Sequence, residues 1–135
     1  MPVAHLAGPA PVLHPEKEHP VPEIFNVTEQ ATAQLDRARA GSAGRAAHNL
    51  YGGPQSTLTQ TVIAIRAGAQ LDEHENPGEA TVLVLQGQVR ISTADGADAL
   101  EGSAGDLLIV PSGMHSVQAV SDCGILLTAA KLRAH

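Results

Sequence analysis

The chain has 135 residues, which is enough for one domain with a hydrophobic core of its own. Its formal net charge is −6 and it contains only 8 Lys and Arg, so it has no basic patch able to neutralise a nucleic-acid backbone. Phe25 and Tyr51 are the only aromatic residues, which argues against ligands that are held by stacking, such as sugars and bases. These counts argue against nucleic acid as a partner.

Cysteine usage and the N-terminal sequence bear on the compartment. Cys123 is the only cysteine, so no internal disulfide can form, and a reducing compartment fits that count. The first residues contain neither a basic n-region nor an apolar h-region, and no stretch approaches the roughly 18 apolar residues of a membrane span. We expect a soluble, cytoplasmic protein without a membrane partner.

The chain divides into an N-terminal arm and one domain. Residues 1–22 contain six of the nine prolines and show neither helical nor strand periodicity. We interpret them as a Pro-rich arm that lies over the domain, reaches a partner subunit or stays disordered. Residues 23–135 form the predicted single domain.

One helix is predicted over about residues 26–40. Asn26 followed by Glu29 approximates a capping box, and apolar residues then recur on one helical face. Arg37 and Arg39 suit the last turn, and Gly41 suits the C-terminal cap. Packing against the outside of a sheet is the expected role of this helix.

From Ser56 onward the pattern changes to short β-branched segments separated by Gly, Asp and Pro, and the predicted barrel spans about residues 47–131. Such strands at close intervals predict a sandwich or barrel, and no helix-length segment separates them, which excludes a parallel βαβ architecture. An Asp-Gly pair at residues 95–96 predicts a tight hairpin. The predicted strands are Leu58–Arg66, Thr81–Leu85, Gln88–Thr93, Ala97–Leu100, Asp106–Val110, Met114–Val120 and Gly124–Lys131.

Two segments in this region follow a glycine-strand frame. The segment from Gly68 to Gly87 reads G-x5-H-x-N-P-G-E-A and continues through a β-branched strand to its last glycine, and the segment from Gly105 to His115 reads G-D-L-L-I-V-P-S-G-M-H. They resemble the two cupin motifs, G-x5-H-x-H-x3-4-E-x6-G and G-x5-P-x-G-x2-H-x3-N. Residues 74–90 are similar to a group of small bacterial stand-alone cupins. The resemblance covers about residues 56–130.

The resemblance implies an all-β fold, the cupin β-barrel (double-stranded β-helix or jelly roll), here with one N-terminal helix. In that family two histidines and a glutamate of the first motif and a histidine of the second converge on a divalent metal. His74 occupies the first of these positions, but Asn76 occupies the second and Ala80 the glutamate position. His115 is displaced by one residue. Glu79 precedes Ala80, and alternation along a strand turns it to the opposite face unless a bulge intervenes.

Two interpretations of the site remain open. In the first, the protein binds a small molecule of undefined identity, carrying a polar or carboxylate group and an apolar body, in a lumen pocket with a degenerate metal site; the pocket residues are His74, Asn76, His115 and Gln60. In the second, a metal-dependent enzyme of the dioxygenase, isomerase or decarboxylase type holds Zn, Fe, Mn or Ni with His74 and His115. His48 is the candidate third ligand, against the alternative of a hydrogen-bonded or exposed histidine.

A homodimer is the expected assembly. The segments Val82–Leu85 and Gly124–Ala129 are apolar on both faces, and a strand buried on both sides requires a second sheet, a helix or another subunit to cover it. Whether the protein catalyses a reaction is left open at this stage.

Overall fold

A computed structural model describes residues 22–76, 78–93, 99–110 and 113–131, and for residues 72–76 and 113–114 it describes only the backbone. The predicted arm therefore lies outside the described residues, apart from Pro22. One helix precedes nine strands in the described part of the chain: α1 Val27–Ala40, β1 Arg45–Tyr51, β2 Leu58–Ile65, β3 Gln70–Asn76, β4 Gly78–Gln86, β5 Gln88–Thr93, β6 Ala99–Ser103, β7 Leu107–Val110, β8 Gly113–Ala119 and β9 Cys123–Lys131.

Helix α1 begins and ends where its capping residues predict. The Asn26 side-chain oxygen accepts a hydrogen bond from the backbone N–H of Glu29 at 2.9 Å. At the other end, the N–H of Gly41 donates to the Arg37 carbonyl at 3.0 Å. The predicted helix is confirmed. No helix in the described ranges is long and apolar enough to cross a membrane.

The strands form two antiparallel sheets. The first has five strands in the order β1-β2-β9-β4-β7, and the second has four in the order β3-β8-β5-β6. Strands that are adjacent in a sheet are often distant in sequence: β2 pairs with β9 over eight residue pairs from Leu58↔Ala130 to Ile65↔Cys123. Two packed antiparallel sheets with this order form a jelly-roll barrel, which confirms the predicted fold class.

Two strands were not among the predicted ones. Strand β1 consists mostly of exposed residues, so no buried apolar pattern marks it. Strand β3 has the sequence QLDEHEN, which is polar at almost every position. Its backbone is extended and pairs with β8, with a register shift between Leu71 and His74. The predicted Asp-Gly turn at residues 95–96 lies outside the described residues, although β5 and β6 on either side of it do pair antiparallel.

The hydrophobic core lies between the two sheets. Because successive side chains of a strand point to opposite faces, the buried core residues are alternate residues of β2, β4, β5, β7, β8 and β9. The largest fully buried side chains include Ile65, Ile125, Val84 and Val89. Asp122, in the turn between β8 and β9, connects this turn to helix α1 and to the turn after β2. Its carboxylate accepts hydrogen bonds from the Ala67 backbone N–H and the Arg39 Nε–H, both at 2.8 Å.

The outer face of the five-stranded sheet is covered by helix α1. Leu35 and Ala38 of the helix pack against Ala64 of β2. A Cβ built on Gly124 of β9 would lie 2.9 Å from the Ala31 Cβ, so only glycine lets the helix lie this close to the strand. The helix therefore provides part of the cover that a strand apolar on both faces requires.

Candidate ligand site

The inner face of β2 changes from aliphatic to polar along its length. Ile65 and Ile63 are buried in the core between the sheets. Thr61 and Thr59 follow at the same spacing, and both are half-buried. Since the register of β2 with β9 is regular throughout, all four side chains lie on one face. We call the end with Ile65 the closed end of the barrel and the end with Thr59 the open end.

Strand β9 runs antiparallel to β2 and shows the same change. Cys123 and Ile125 are buried at the closed end, whereas Leu127 and Ala129 toward the open end are half-buried and pack against the core. Burial raises the pKa of the Cys123 thiol to about 11. The core around Cys123 therefore disfavours a charged side chain. Lys131 ends the strand and is exposed.

The second sheet contributes His115 to the open end. Val89 and Ile91 of β5 are buried, and Thr93, the next inner-face residue of that strand, is half-buried. Thr93 is the cross-strand partner of His115 in β8. The His115 side chain is only 4% exposed, which makes it one of two buried polar side chains among the described residues.

The backbone of His74 lies directly beside that of His115. The two residues are Cα partners in the β3–β8 pair, and Asn76 is the partner of Gly113 two residues further along. A register shift lies between Leu71 and His74. The side chains of His74 and Asn76 lie outside the described part of the molecule, so their roles remain predictions.

The position expected for a metal-binding glutamate carries no carboxylate. Ala80 is buried in the core between the sheets, and Glu79 is exposed. Strand β4 keeps a regular register with β9 from Gly78 to Val84, so no bulge rotates Glu79 inward. The described residues therefore do not fit the family's four-ligand metal site.

Gln60 is on the outer face of its sheet, whereas His115 is on the inner face of the other sheet. Its Nε2 donates to the Thr128 hydroxyl at 3.2 Å, and it alternates with Thr59 and Thr61, which face the lumen. Gln60 thus lies on the face of β2 that also carries Ala64 and contacts the helix. The sequence left this face unassigned because β2 is apolar on both sides.

His48 is also directed away from the lumen. It pairs with Val62, on the helix-covered face of β2, and its Nδ1 lies 2.9 Å from Oε1 of Gln30 in α1. Its side chain is exposed. His48 is thus hydrogen-bonded to the helix, on the opposite face of the sheet from Thr59 and Thr61.

The open end offers hydroxyl groups, an imidazole and an aliphatic wall. Among the described residues, no inner-face position carries a carboxylate, and no group of three or more His, Cys, Asp and Glu is close enough to hold a metal. Sequence reasoning missed Thr59, Thr61 and Thr93. Each continues an alternating apolar series within a predicted strand, but that series alone does not tell which face of the strand is inside.

Comparisons with known proteins agree with the architecture. A conserved protein of unknown function from Streptococcus pyogenes superposes with a TM-score of 0.65 at 19% identity, over 87% of this chain and 95% of its own. A cupin 2 conserved barrel domain protein from Leptotrichia buccalis gives a TM-score of 0.59 at 28% identity, over 67% of this chain and 43% of its own. Salicylate 1,2-dioxygenase from Pseudaminobacter salicylatoxidans gives 0.61 at 19% identity, over 76% of this chain and 33% of its own.

No family model and no curated protein sequence matches the chain. The two antiparallel sheets and the structural matches together define the fold as a cupin β-barrel. The chain is a small protein of that fold, which confirms the resemblance found in the sequence.

Proposed function

We propose that this protein is a small-molecule-binding cupin and that its ligand occupies the open end of the barrel. The observation that carries the proposal is the change along the inner faces from fully buried aliphatic residues to Thr59, Thr61, Thr93 and His115. Ligand sites are mostly apolar cavities in which a few placed polar groups fix orientation. In this proposal His74 and Asn76, at partner positions of β8, complete the polar wall.

The lining favours a ligand with an apolar body and a polar group that accepts hydrogen bonds. A threonine hydroxyl carries one O–H donor, and an imidazole carries at least one N–H donor. Leu127 and Ala129 provide an aliphatic wall beside them. A small carbonyl- or carboxylate-bearing compound satisfies both requirements, whereas a planar base or sugar would find no aromatic side chain on these faces.

The proposal is tested by retention of a ligand from a mixture. The protein, purified without a His tag, is dialysed to equilibrium against a bacterial metabolite extract and the retained compounds are identified by mass spectrometry. We expect the wild type to retain at least one small carbonyl or carboxylate compound that the His74→Ala, His115→Ala double variant does not. Thr93→Val, a change of similar shape, is a milder variant if the double variant is unfolded. Equal retention by all three proteins would contradict the proposal.

A second candidate function is a metal-dependent enzyme that uses His74 and His115. The observation in its favour is that these two residues are direct cross-strand partners. Against it, Ala80 replaces the glutamate, and His48 and Glu79 are turned away. Two imidazoles with the Asn76 amide form a weak set for Zn, Fe, Mn or Ni.

Elemental analysis separates the two candidates. Near-stoichiometric metal in the untagged wild type, lost in the His74→Ala, His115→Ala double variant, would favour the metalloenzyme. Our first proposal predicts a metal content far below one per chain, unchanged by the substitutions. An Arg90→Met variant, on the outer face of the second sheet, serves as the control.

The homodimer stays a prediction. Leu107 and Ile109 of the edge strand β7 are 58% and 66% exposed, which is high for large aliphatic side chains. Light scattering at micromolar concentration is expected to give twice the 13.9 kDa of the chain. A monomeric mass would contradict it.

A further inference from the structure

Lys131 is the last residue of β9 and lies at the rim of the open end. It follows Ala129 on the inner face of the strand, and its Cα partner is Gly78 of β4. Its backbone N–H donates to the Thr57 carbonyl at 2.9 Å, which fixes the end of the strand beside β2. The backbone of Lys131 thus lies two residues beyond Ala129, at the end of the strand where the proposed site lies.

Within the described part of the chain, the Lys131 ammonium contacts no carboxylate. It donates to two neutral carbonyl oxygens, of Gly53 at 3.3 Å and of Pro54 at 3.4 Å. Both distances exceed the usual range of about 2.7–3.2 Å for N–H···O bonds, so these bonds are weak. Among the described carboxylates, that of Glu79 is nearest to Lys131 in the register of β4 and β9. Glu79 is on the opposite face of the sheet, since its cross-strand partner is Ala130, the residue before Lys131.

Four arginines of the described residues make their polar contacts elsewhere. Arg39 pairs with Asp122 at 2.8 Å and Arg90 with Glu101 at 2.7 Å, on the outside of the barrel. Arg45 donates to the Gln70 carbonyl and Arg66 to the Gly41 carbonyl. Among the described residues, Lys131 is therefore the cation that an incoming ligand would meet at the open end.

We propose that Lys131 selects carboxylate ligands by exchanging its bonds to the Gly53 and Pro54 carbonyls for an ion pair with the ligand's carboxylate at the open end of the barrel. This inference rests on the proposed function and names the class of ligand: an aliphatic monocarboxylate. Its apolar tail lies along Leu127 and Ala129, and its carboxylate also accepts from the Thr59 hydroxyl. A bond between an ammonium and a carboxylate, in which both partners are charged, is stronger than the long ammonium–carbonyl bonds it replaces.

Calorimetric titration with matched probes tests this role. Hexanoate, hexanamide and 1-hexanol have the same chain length and differ in the head group, which is charged only in hexanoate. We expect the wild type to bind hexanoate about fivefold more tightly than hexanamide, the scale of a partly exposed ion pair. In Lys131→Met, which keeps the aliphatic stem, hexanoate affinity is expected to fall to that of hexanamide, while hexanamide affinity stays the same.

Two controls isolate the charge at this position. Lys131→Arg keeps the cation and is expected to retain the preference for hexanoate. Arg90→Met removes one positive charge from the outer face of the second sheet and is expected to leave all three affinities unchanged. Raising salt from about 0.05 M to about 0.5 M is expected to weaken hexanoate binding in the wild type but not in Lys131→Met, because salt screens the exposed pair.

The outcomes separate this inference from the function on which it rests. Equal binding of hexanoate and hexanamide by both wild type and Lys131→Met would overturn the role of Lys131 and leave an uncharged binding site. Failure of all three probes to bind the wild type would overturn both. An equal loss of hexanoate affinity in Arg90→Met would show a general charge effect and also overturn the role of Lys131.

Discussion

The two ends of the barrel are made by the same strands but differ in what their inner faces carry. At the closed end, Ile65, Ile125 and Val89 are at most 1% exposed. At the open end, Thr59 and Thr93 occupy the equivalent alternate positions and are half-buried. The backbone pairing continues through both ends without interruption on β2 and β9. The fold and the proposed site are therefore separable: one half of each strand stabilises the protein, and the other half lines the proposed site.

The difference between the two ends should be largest when one aliphatic side chain at each end is truncated. Ile125→Ala removes a fully buried side chain and is expected to lower the free energy of unfolding by about 3 kcal/mol. Leu127→Ala, two residues toward the open end, is expected to cost about 1 kcal/mol because the side chain is only half-buried. Urea unfolding measures both. Hexanoate affinity should fall in Leu127→Ala alone, and equal losses of stability would contradict the distinction between the ends.

Alanine substitution of two glycines at turns of the closed end tests how much room each turn leaves for a side chain. Gly87 has φ +75°, and a Cβ there would lie 2.0 Å from the Asp122 carbonyl oxygen. Gly68 has φ +85° but nothing within 4 Å of a Cβ. We expect Gly68→Ala to lose about 1 kcal/mol from the left-handed backbone alone, and Gly87→Ala about 3 kcal/mol, since the backbone must also move. Thermal and urea unfolding provide the comparison, and equal losses would show that the turn at Gly87 adapts without cost.

The ionised Asp122 carboxylate should make the stability of the protein dependent on pH. The Ala67 N–H and then the Arg39 side chain lower the pKa of its carboxyl below the ordinary value of 3.8. A depressed pKa contributes stability that is complete above the unfolded-state pKa and is lost as pH falls through the folded-state value. Asp122→Asn should therefore be less stable than the wild type at pH 7, and the difference should shrink below about pH 4. A difference that is independent of pH would contradict the role of the charge.

The smallest expected effect is that of Thr93→Val at the open end. The substitution keeps the shape of the side chain and removes its hydroxyl. Because Thr93 is half-buried, we expect a change in unfolding free energy below about 1 kcal/mol together with a weaker affinity for hexanoate. Ile91→Val, two residues toward the closed end, is the matched control, with unchanged affinity. A loss of affinity in the control as well would show that the site is not confined to the open end.

Elements with strong local signals were predictable from the sequence. The Asn26 cap located the start of the helix, and the alternation in Gln88–Thr93 located β5 at its observed ends. The glycine frame indicated that Ala80 faces inward and Glu79 outward, which agrees with their burial. Strand β3 was missed because its sequence is polar. A polar strand has no apolar period, and its pairing with β8 is a tertiary contact that propensity does not encode.

The candidate site was less predictable because it depends on which face of each strand is inside. Gln60 and His48 were considered for the lumen, but the register of β2 with β9 and β1 places them on the helix side. One residue of register exchanges the two faces of a strand, so a site residue cannot be assigned before the pairing is known. For Thr59 and Lys131, chemical type alone gave no signal, since both residue types are common on protein surfaces.

The central claim is that a ligand binds at the open end of the barrel, and methyl NMR tests it directly. Threonine, leucine, isoleucine and valine methyl groups are followed while hexanoate is added. Shifts of Thr59, Thr61, Thr93 and Leu127 are expected, with Val84, Val89 and Ile65 at the closed end unchanged. Shifts confined to methyl groups on the helix side of the five-stranded sheet, or no shifts at saturating hexanoate, would contradict it.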